Sequence, residues 1–140
     1  MICDIYRNWL HRFVRTFFHM HKLTLIRGIP GSGKSTQARA MGLLHHYEAD
    51  MWFDQNGGYD RAKIKQAHDW CQQRTFDALA AGESCVVANT FCRRWEMQPY
   101  LDAAKKHGAS VEVIVANGRW QNVHGVPPEI VRQMEARFES

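Results

Sequence analysis

Eight consecutive residues have the types and the spacing of a loop that binds phosphate groups. They are Gly28-Ile29-Pro30-Gly31-Ser32-Gly33-Lys34-Ser35, which match the pattern G-x-x-x-x-G-K-[ST] in full. Glycines let the backbone approach phosphates closely with its amides pointing inward, and a helix that begins near Lys34 adds its positive end. Lys34 supplies a point charge for the β- and γ-phosphates, and the Ser35 hydroxyl is the expected Mg²⁺ ligand. The loop therefore predicts a site for a nucleoside triphosphate, ATP with Mg²⁺.

The predicted nucleotide-binding residues extend one position past this pattern. They are Gly28, Pro30, Gly31, Ser32, Gly33, Lys34, Ser35 and Thr36. An apolar run precedes the loop and helix-forming residues follow it, which is the strand–loop–helix context that such loops require. A flexible glycine-rich turn is the alternative, and this context disfavours it.

Phosphoryl transfer needs two further groups, one that orients the acceptor hydroxyl and one that neutralises the moving phosphate. Asp50 is the best candidate for the first: it either accepts the acceptor's proton or binds Mg²⁺ together with Ser35, and a turn aspartate without a role is the alternative. The cation candidates are Arg93, Arg94 and Arg119, against the alternative of solvated surface arginines. The predicted catalytic residues are Lys34, Asp50 and Arg119, and the predicted metal ligands are Ser35 and Asp50.

Three neighbouring residues leave open questions about this site. An acidic residue normally ends the third strand, where Asn89 stands here; its amide can hydrogen-bond water or phosphate but brings no charge. Trp52 and Phe53 lie two and three residues after Asp50, and they either stack on a substrate base or pack under a loop.

The elements that must hold these residues alternate between strands and helices. Strands are predicted at 23–27, 47–50, 85–88 and 111–115, and helices at 35–45, 60–81, 95–106 and from 127 onward. This alternation indicates a three-layer α/β domain, with a parallel sheet covered by helices on both faces. Ligands bind beyond the carboxyl ends of such strands, so we expect Gly28, Asp50 and Asn89 to meet there.

Composition and charge exclude several classes of protein. The 140 residues are 45% hydrophobic and 23% charged, as in a folded single domain and not a disordered chain. Neither a transmembrane segment nor a secretory signal is visible, which predicts a cytoplasmic protein. The four cysteines and eight histidines lack the spacing of a metal site. A net charge of +4 suits an anionic ligand but is too small to argue for duplex DNA.

The first part of the chain is predicted to be an amphipathic helical extension. Apolar residues recur at helical spacing over residues 2–18, so residues 1–21 are assigned to the extension and 22–140 to the nucleotide-binding domain. The extension packs on the domain or on a second subunit, giving self-association, or it lies on a membrane surface. Alternatively it is not part of the working protein, and Met20 is the true start. We expect residues 1–19 to be dispensable for chemistry.

Several motifs together resemble the AAA_33-type P-loop kinases. That group includes phage polynucleotide 5′-kinase and the kinase-like domains of Nedd4-binding-protein-2-like proteins, and the resemblance spans about residues 22–138. The motifs are Arg27 to Thr36, Asp50, Ala67-His68, Asn89-Thr90, Trp95-Glu96-Met97-Gln98-Pro99-Tyr100 and His124-Gly125-Val126-Pro127. The resemblance implies a kinase fold and transfer of the ATP γ-phosphate to a hydroxyl, such as a nucleic-acid 5′ end or a nucleotide. It also implies that Asp50 is the catalytic base.

The sequence departs from this family in three places. Ala88-Asn89 stands where the third strand usually ends in aspartate, and Phe53 replaces an arginine of the polynucleotide kinase pattern. The lid helix with its arginines is shortened to residues 118–123. A short lid closes less well over the phosphates. These departures keep open a second hypothesis, an ATP-binding or slowly hydrolysing module that regulates a partner.

Overall fold

The structure, a computed structural model, describes residues 20–119 and 125–140. The predicted helical extension therefore lies almost entirely outside the described residues, and it stays a prediction together with its proposed self-association. Within these ranges four strands form one sheet: β1 (Lys22–Arg27), β2 (His45–Tyr47), β3 (Cys85–Asn89) and β4 (Ser110–Val115).

In the described part of the chain, five α-helices and two short 3₁₀ helices accompany the sheet. The α-helices are α1 (Lys34–Ala40), α2 (Ala49–Gln55), α3 (Ile64–Ala80), α4 (Gln98–Lys106) and α5 (Pro128–Arg137). The 3₁₀ helices, Arg61–Lys63 and Arg94–Met97, lead directly into α3 and α4. No helix in the described part of the chain is long and apolar enough to cross a membrane.

The sheet is entirely parallel, with the strand order β2-β3-β1-β4. In the register of the two central strands, Leu25 lies opposite Val87 and Arg27 lies opposite Asn89. Because parallel strands end at the same edge, the segments after β1 and β3 emerge side by side. This arrangement confirms the predicted parallel α/β sheet.

Apolar clusters cover both faces of the sheet, which makes the domain three-layered. On one face the β1 side chains Leu23 and Leu25 pack with Leu79 of α3 and Tyr100 of α4. On the other face the cluster comprises Ile26, Ala38, Val86, Ala88 and Ala116, with Ala38 contributed by α1. Central strands buried on both faces read as continuous apolar runs, which is why β1 and β3 were predictable.

Two predicted boundaries around β2 are wrong. The helix predicted over residues 35–45 ends at Ala40, because Gly42 takes a positive φ of 63° that terminates helices, and β2 begins at His45. The predicted strand at 47–50 ends at Tyr47, so Asp50 does not lie at a strand end. It lies in the first turn of α2, because the backbone turns after Glu48 and the Met51 amide donates to the Glu48 carbonyl at 3.1 Å.

The connection between β4 and α5 contains the predicted short lid. It covers residues 116–127, of which 120–124 lie outside the described residues.

Candidate active site

The loop between β1 and α1 is fixed by backbone hydrogen bonds within it and to two neighbouring segments. The Gly28 amide donates to the Thr90 carbonyl at 3.2 Å, just after β3. The Ser32 amide donates to the Ile29 carbonyl, and the Gly118 amide donates to the Ser32 carbonyl, both at 3.1 Å. These bonds hold the loop at the carboxyl ends of the central strands, where the sequence predicts it.

Glycine is required in this loop for two different reasons. Gly31 and Gly33 have φ values of 82° and 89°, which residues with a Cβ rarely adopt. Gly28 is required by space, since a Cβ there would lie 2.3 Å from Ser32 Oγ and 2.8 Å from the Ala116 carbonyl oxygen. The backbone is therefore as tightly packed as a phosphate-binding loop requires.

The buried Ser32 hydroxyl has no hydrogen-bond partner among the described residues. Its residue is only 1% exposed, so water cannot readily satisfy this polar atom. An orphaned buried hydroxyl inside the loop suits a site whose missing partner is a polar ligand.

The side chain of Lys34 lies deep in the site. Lys34 is 5% exposed, and its burial lowers the pKa of the ammonium group, while the nearby carboxylates of Asp50 and Glu48 act in the opposite direction. Because Lys34 is buried, its charge is less screened by water than that of a surface lysine and acts more strongly on a bound phosphate.

The Ser35 hydroxyl donates a hydrogen bond of 2.7 Å to Oε2 of Glu48. The other oxygen of Glu48, Oε1, lies 2.6 Å from Nε2 of His46, so both carboxylate oxygens are engaged. Glu48 is 3% exposed. Burial raises the pKa of its carboxyl, but the hydrogen bonds from His46 and Ser35 and the charges of His46 and Lys34 outweigh burial and lower it overall. Glu48 is therefore an ionised carboxylate inside the site.

Glu48 is a site residue that the sequence reasoning missed. The available signal was its position two residues before Asp50, directly after a strand. Its pairing with Ser35 could not be read from the sequence because the two residues are brought together by the fold.

Asp50 lies in the first turn of α2 and within electrostatic range of Lys34. His68 on α3 is also within electrostatic range of Asp50: burial lowers the pKa of its imidazole, and the carboxylates of Glu96 and Asp50 oppose that shift. Hydrogen bonds from Gly28 to Thr90, from Ser35 to Glu48 and from Ala49 to Asn89 bring the segments after β1 and β2 and the end of β3 together at one edge of the sheet, as predicted.

Asn89 has a different environment from the one that the sequence suggests. It is 5% exposed, its Oδ1 accepts from the Ala49 amide at 2.9 Å, and its Nδ2 lies 3.5 Å from the Cys71 sulfur. Both ends of this amide are thus used inside the protein. Instead of facing water or phosphate, Asn89 anchors the start of α2 and so positions Asp50.

The three arginines considered for the phosphates all have acidic or carbonyl partners. Arg93 Nη1 lies 3.1 Å from Oε1 of Glu139, and the side chain of Arg94 donates to the Ser140 carbonyl. Arg119 is 3.7 Å from Glu135 and its side chain is 87% exposed. Arg119 follows β4 on the connection that contains the predicted lid.

Of the two aromatic residues after Asp50, Phe53 packs in the core. It is 5% exposed, and its ring centroid is 5.2 Å from that of Tyr59. Trp52 is partly buried against Phe53, with ring centroids 5.6 Å apart. Phe53 therefore packs beneath the segment after α2, as the second alternative predicted. Of these two residues, only Trp52 is left as a candidate to stack on a substrate base.

The residues present fit a Mg²⁺ site that is completed by a nucleotide. No group of three histidine, cysteine, aspartate or glutamate side chains suited to a metal occurs in residues 20–119 and 125–140. Mg²⁺ at nucleotide sites is typically held by one or two protein oxygens, with phosphates and water filling the remaining positions. The Ser35 hydroxyl, bonded to the carboxylate of Glu48, is such an oxygen, and Asp50 as the second metal ligand stays a prediction.

Comparison with known proteins identifies relatives over most of the chain. The model of the family AAA_33, an AAA domain, matches residues 23–124. Human NEDD4-binding protein 2 is 32% identical over 135 residues, which is 84% of this chain but 8% of the human protein's length. An uncharacterised protein of Pasteurella multocida is 31% identical over 134 residues, covering 82% of this chain and 75% of its own.

Solved structures share the fold at low sequence identity. A chain of the Pnkp1/Rnl/Hen1 complex matches 82% of this chain and 39% of its own length, with a TM-score of 0.61 and 18% identity. The Mycobacterium tuberculosis APS kinase CysC matches 83% of this chain and 69% of its own, with a TM-score of 0.50 and 15% identity. These structures therefore share the parallel α/β fold of this chain. Because the family model covers most of its length, the chain belongs to the AAA_33 family.

Proposed function

We propose that this protein binds ATP with Mg²⁺ at the loop from Gly28 to Ser35 and transfers the γ-phosphate to a hydroxyl group. The observation that carries the proposal is the proximity of a buried cation, Lys34, to the carboxylate of Asp50 at the edge of a phosphate-binding loop. A protein that only binds ATP with Mg²⁺ typically needs the cation, the loop and one carboxylate near the metal, and Glu48 already bonds to Ser35. The second carboxylate, Asp50, therefore supports a role at an acceptor hydroxyl.

In the proposed reaction the acceptor oxygen forms a bond to the γ-phosphorus, and the bond from this phosphorus to the bridging oxygen of ADP breaks. The acceptor's proton passes to the carboxylate of Asp50, and ADP leaves with the bonding electrons. The ammonium of Lys34 stabilises the negative charge on the transferring phosphate. Ser35 would hold Mg²⁺, which neutralises charge on the β- and γ-phosphates when it is bound.

Arg119 is the proposed lid cation. Its pairing with Glu135 at 3.7 Å is solvent-exposed, and such pairs contribute little to stability. The guanidinium can therefore leave Glu135 and move to a bound phosphate at small cost in free energy.

We propose a nucleic-acid 5′ end as the preferred acceptor and a nucleotide as the alternative acceptor. The first choice is supported by the shared fold with a structure described as an RNA repair complex, and the second by the shared fold with APS kinase. The net charge of +4 suits either anionic acceptor.

A second candidate function is an ATP-binding module that hydrolyses slowly and regulates a partner. It is favoured by Ala88, which stands where an acidic residue is expected and is 1% exposed in the apolar cluster beneath α1. Without that acidic residue on β3, transfer that depends on Mg²⁺ needs a carboxylate for the metal from another part of the chain, in addition to Asp50.

The transfer of label from γ-labelled ATP tests the choice between these functions. The acceptors are a 5′-hydroxyl oligonucleotide, a panel of nucleosides and nucleotides, and water alone, each with Mg²⁺. Label on an acceptor, absent with Lys34→Ala, supports the kinase and names its substrate class. Label released only as free phosphate, or retained on bound ATP, contradicts the kinase and favours the regulatory module. Steep loss of oligonucleotide affinity with added salt would indicate contacts to several phosphates.

A further inference from the structure

The site contains one more buried carboxylate than the proposed reaction has yet used. Glu48 is 3% exposed, and its Oε2 accepts from the Ser35 hydroxyl, the predicted Mg²⁺ ligand, at 2.7 Å. Burying a carboxylate costs free energy unless its oxygens are hydrogen-bonded. Because this buried carboxylate bonds to the predicted Mg²⁺ ligand, we expect it to take part in ligand binding at the loop.

β3 cannot supply an acidic group to this place. Ala88 packs within an apolar cluster, and the amide of Asn89 is occupied by the Ala49 backbone and the Cys71 sulfur. The negative charge that lies next to Ser35 comes instead from Glu48, the residue that directly follows the neighbouring strand β2.

His46 holds Glu48 in its orientation. The imidazole Nε2 lies 2.6 Å from Oε1, so the opposite oxygen is directed to Ser35. Residues around a metal that orient a carboxylate or histidine in this way tune metal affinity substantially. Two fixed oxygens make Glu48 a preorganised acceptor for ligands of a cation, such as bound water.

From this geometry we infer that Glu48 positions Mg²⁺ in the ATP complex beside the Ser35 hydroxyl, in place of the acidic residue missing from β3. Asp50 is then left to the acceptor hydroxyl, which assigns separate tasks to the two carboxylates of Glu48-Ala49-Asp50. The inference rests on the proposed binding of ATP with Mg²⁺ and does not require that transfer occurs.

The chain offers a matched control one residue earlier on β2. His45 Nε2 lies 2.5 Å from Oε2 of Glu83, a second histidine–glutamate pair. This pair is exposed to solvent and is not bonded to the phosphate loop. Glu83, which lies just before β3, pairs with a histidine of the same strand as His46, so Glu83→Gln removes a glutamate–histidine pair that is not bonded to the phosphate loop.

The experiment measures ATP affinity by calorimetry over a series of Mg²⁺ concentrations, including none, for the native chain, Glu48→Gln and Glu83→Gln. Mn²⁺ bound in the presence of ATP is counted by electron paramagnetic resonance. In Glu48→Gln the apparent metal affinity of the ATP complex should fall about 10–100-fold. Without metal, the same variant should bind ATP as tightly as the native chain or more tightly, because a carboxylate that repels phosphate is gone. Glu83→Gln should match the native chain in both conditions.

Three results would overturn the inference. If Glu48→Gln keeps the native metal affinity, the carboxylate does not serve the metal. If the variant loses ATP affinity equally with and without Mg²⁺, Glu48 has a structural role only. If Glu48→Gln does not fold, Glu48→Asp and Glu48→Asn are compared; the aspartate variant should keep the larger Mg²⁺ effect, and equality contradicts the inference. Failure of the native chain to bind ATP would instead overturn the proposed function, before any variant is measured.

Discussion

Gly28→Ala tests whether the phosphate loop is as closely packed as its geometry indicates. The added Cβ would lie 2.3 Å from Ser32 Oγ and 2.8 Å from the Ala116 carbonyl oxygen. The first is the end of a side chain, but Ser32 is 1% exposed and has little room to move. The second is backbone. Some part of the loop must therefore shift to admit one methyl group.

Overpacking of this kind costs about 1–3 kcal/mol, and we take about 2 kcal/mol because two separate contacts must be relieved. For a domain of this size the melting temperature should fall by about 6–10 °C. ATP affinity should fall about tenfold or more, because about 1.4 kcal/mol of lost interaction with the displaced amides is sufficient for that change. Differential scanning calorimetry and ATP titration measure the two effects.

Ser32→Ala provides the control for this prediction. It removes an Oγ that has no hydrogen-bond partner among the described residues, so alone it should change the melting temperature little. Combined with Gly28→Ala it should restore part of the lost stability, since the contact with the Ala116 carbonyl remains. A Gly28→Ala protein that melts and binds ATP like the native chain would refute the reasoning, as would a double variant without any rescue.

Three further predictions concern other parts of the domain. Asn89→Ala should destabilise the domain by about 1–3 kcal/mol in urea unfolding, because the buried Ala49 amide loses its acceptor; an unchanged midpoint would contradict the anchoring role. Burial raises the pKa of the Cys71 thiol to about 11 and that of the Cys85 thiol to about 12. Unfolded thiols release protons near pH 9 while the folded ones keep theirs, so stability should fall as pH rises from about 9 toward 11. The slope should be smaller in the Cys71→Ala/Cys85→Ala protein, and an unchanged slope would contradict this origin. A chain that starts at Met20 should bind ATP as the full chain does in calorimetry, and a loss of binding would show that residues 1–19 serve the site.

The parts of the fold that the sequence predicts well are those with local causes. The phosphate loop follows from glycines, lysine and serine at fixed spacing, and β1 and β3 follow from continuous apolar runs. Local signals also misplace elements when a tertiary contact decides. Asp50 lies in a helix and not at a strand end, because Oδ1 of Asn89 accepts a hydrogen bond from the Ala49 backbone amide and fixes the start of that helix.

The site residues show the same division between local and tertiary causes. Lys34 and Ser35 are identified by their motif. Glu48 is identified only by the fold, which brings its carboxylate, just after β2, next to the Ser35 hydroxyl at the start of α1. The partners of Arg93 and Arg94 lie at the carboxyl end of the chain, at Glu139 and Ser140, and sequence spacing gives no indication of that contact. The roles of Asp50 and Arg119, and a cytoplasmic location, stay predictions.

Single-turnover transfer of labelled γ-phosphate by Asp50→Asn tests the central claim, a kinase whose carboxylate serves the acceptor hydroxyl, most directly. Asp54→Asn is the matched control, because Asp54 lies one turn further along the same helix α2 and is exposed. The native chain and Asp54→Asn should label the acceptor, while Asp50→Asn should still bind ATP but transfer about 10²–10⁴-fold more slowly. Equal transfer by the two variants, or label on no acceptor at all, would contradict the account.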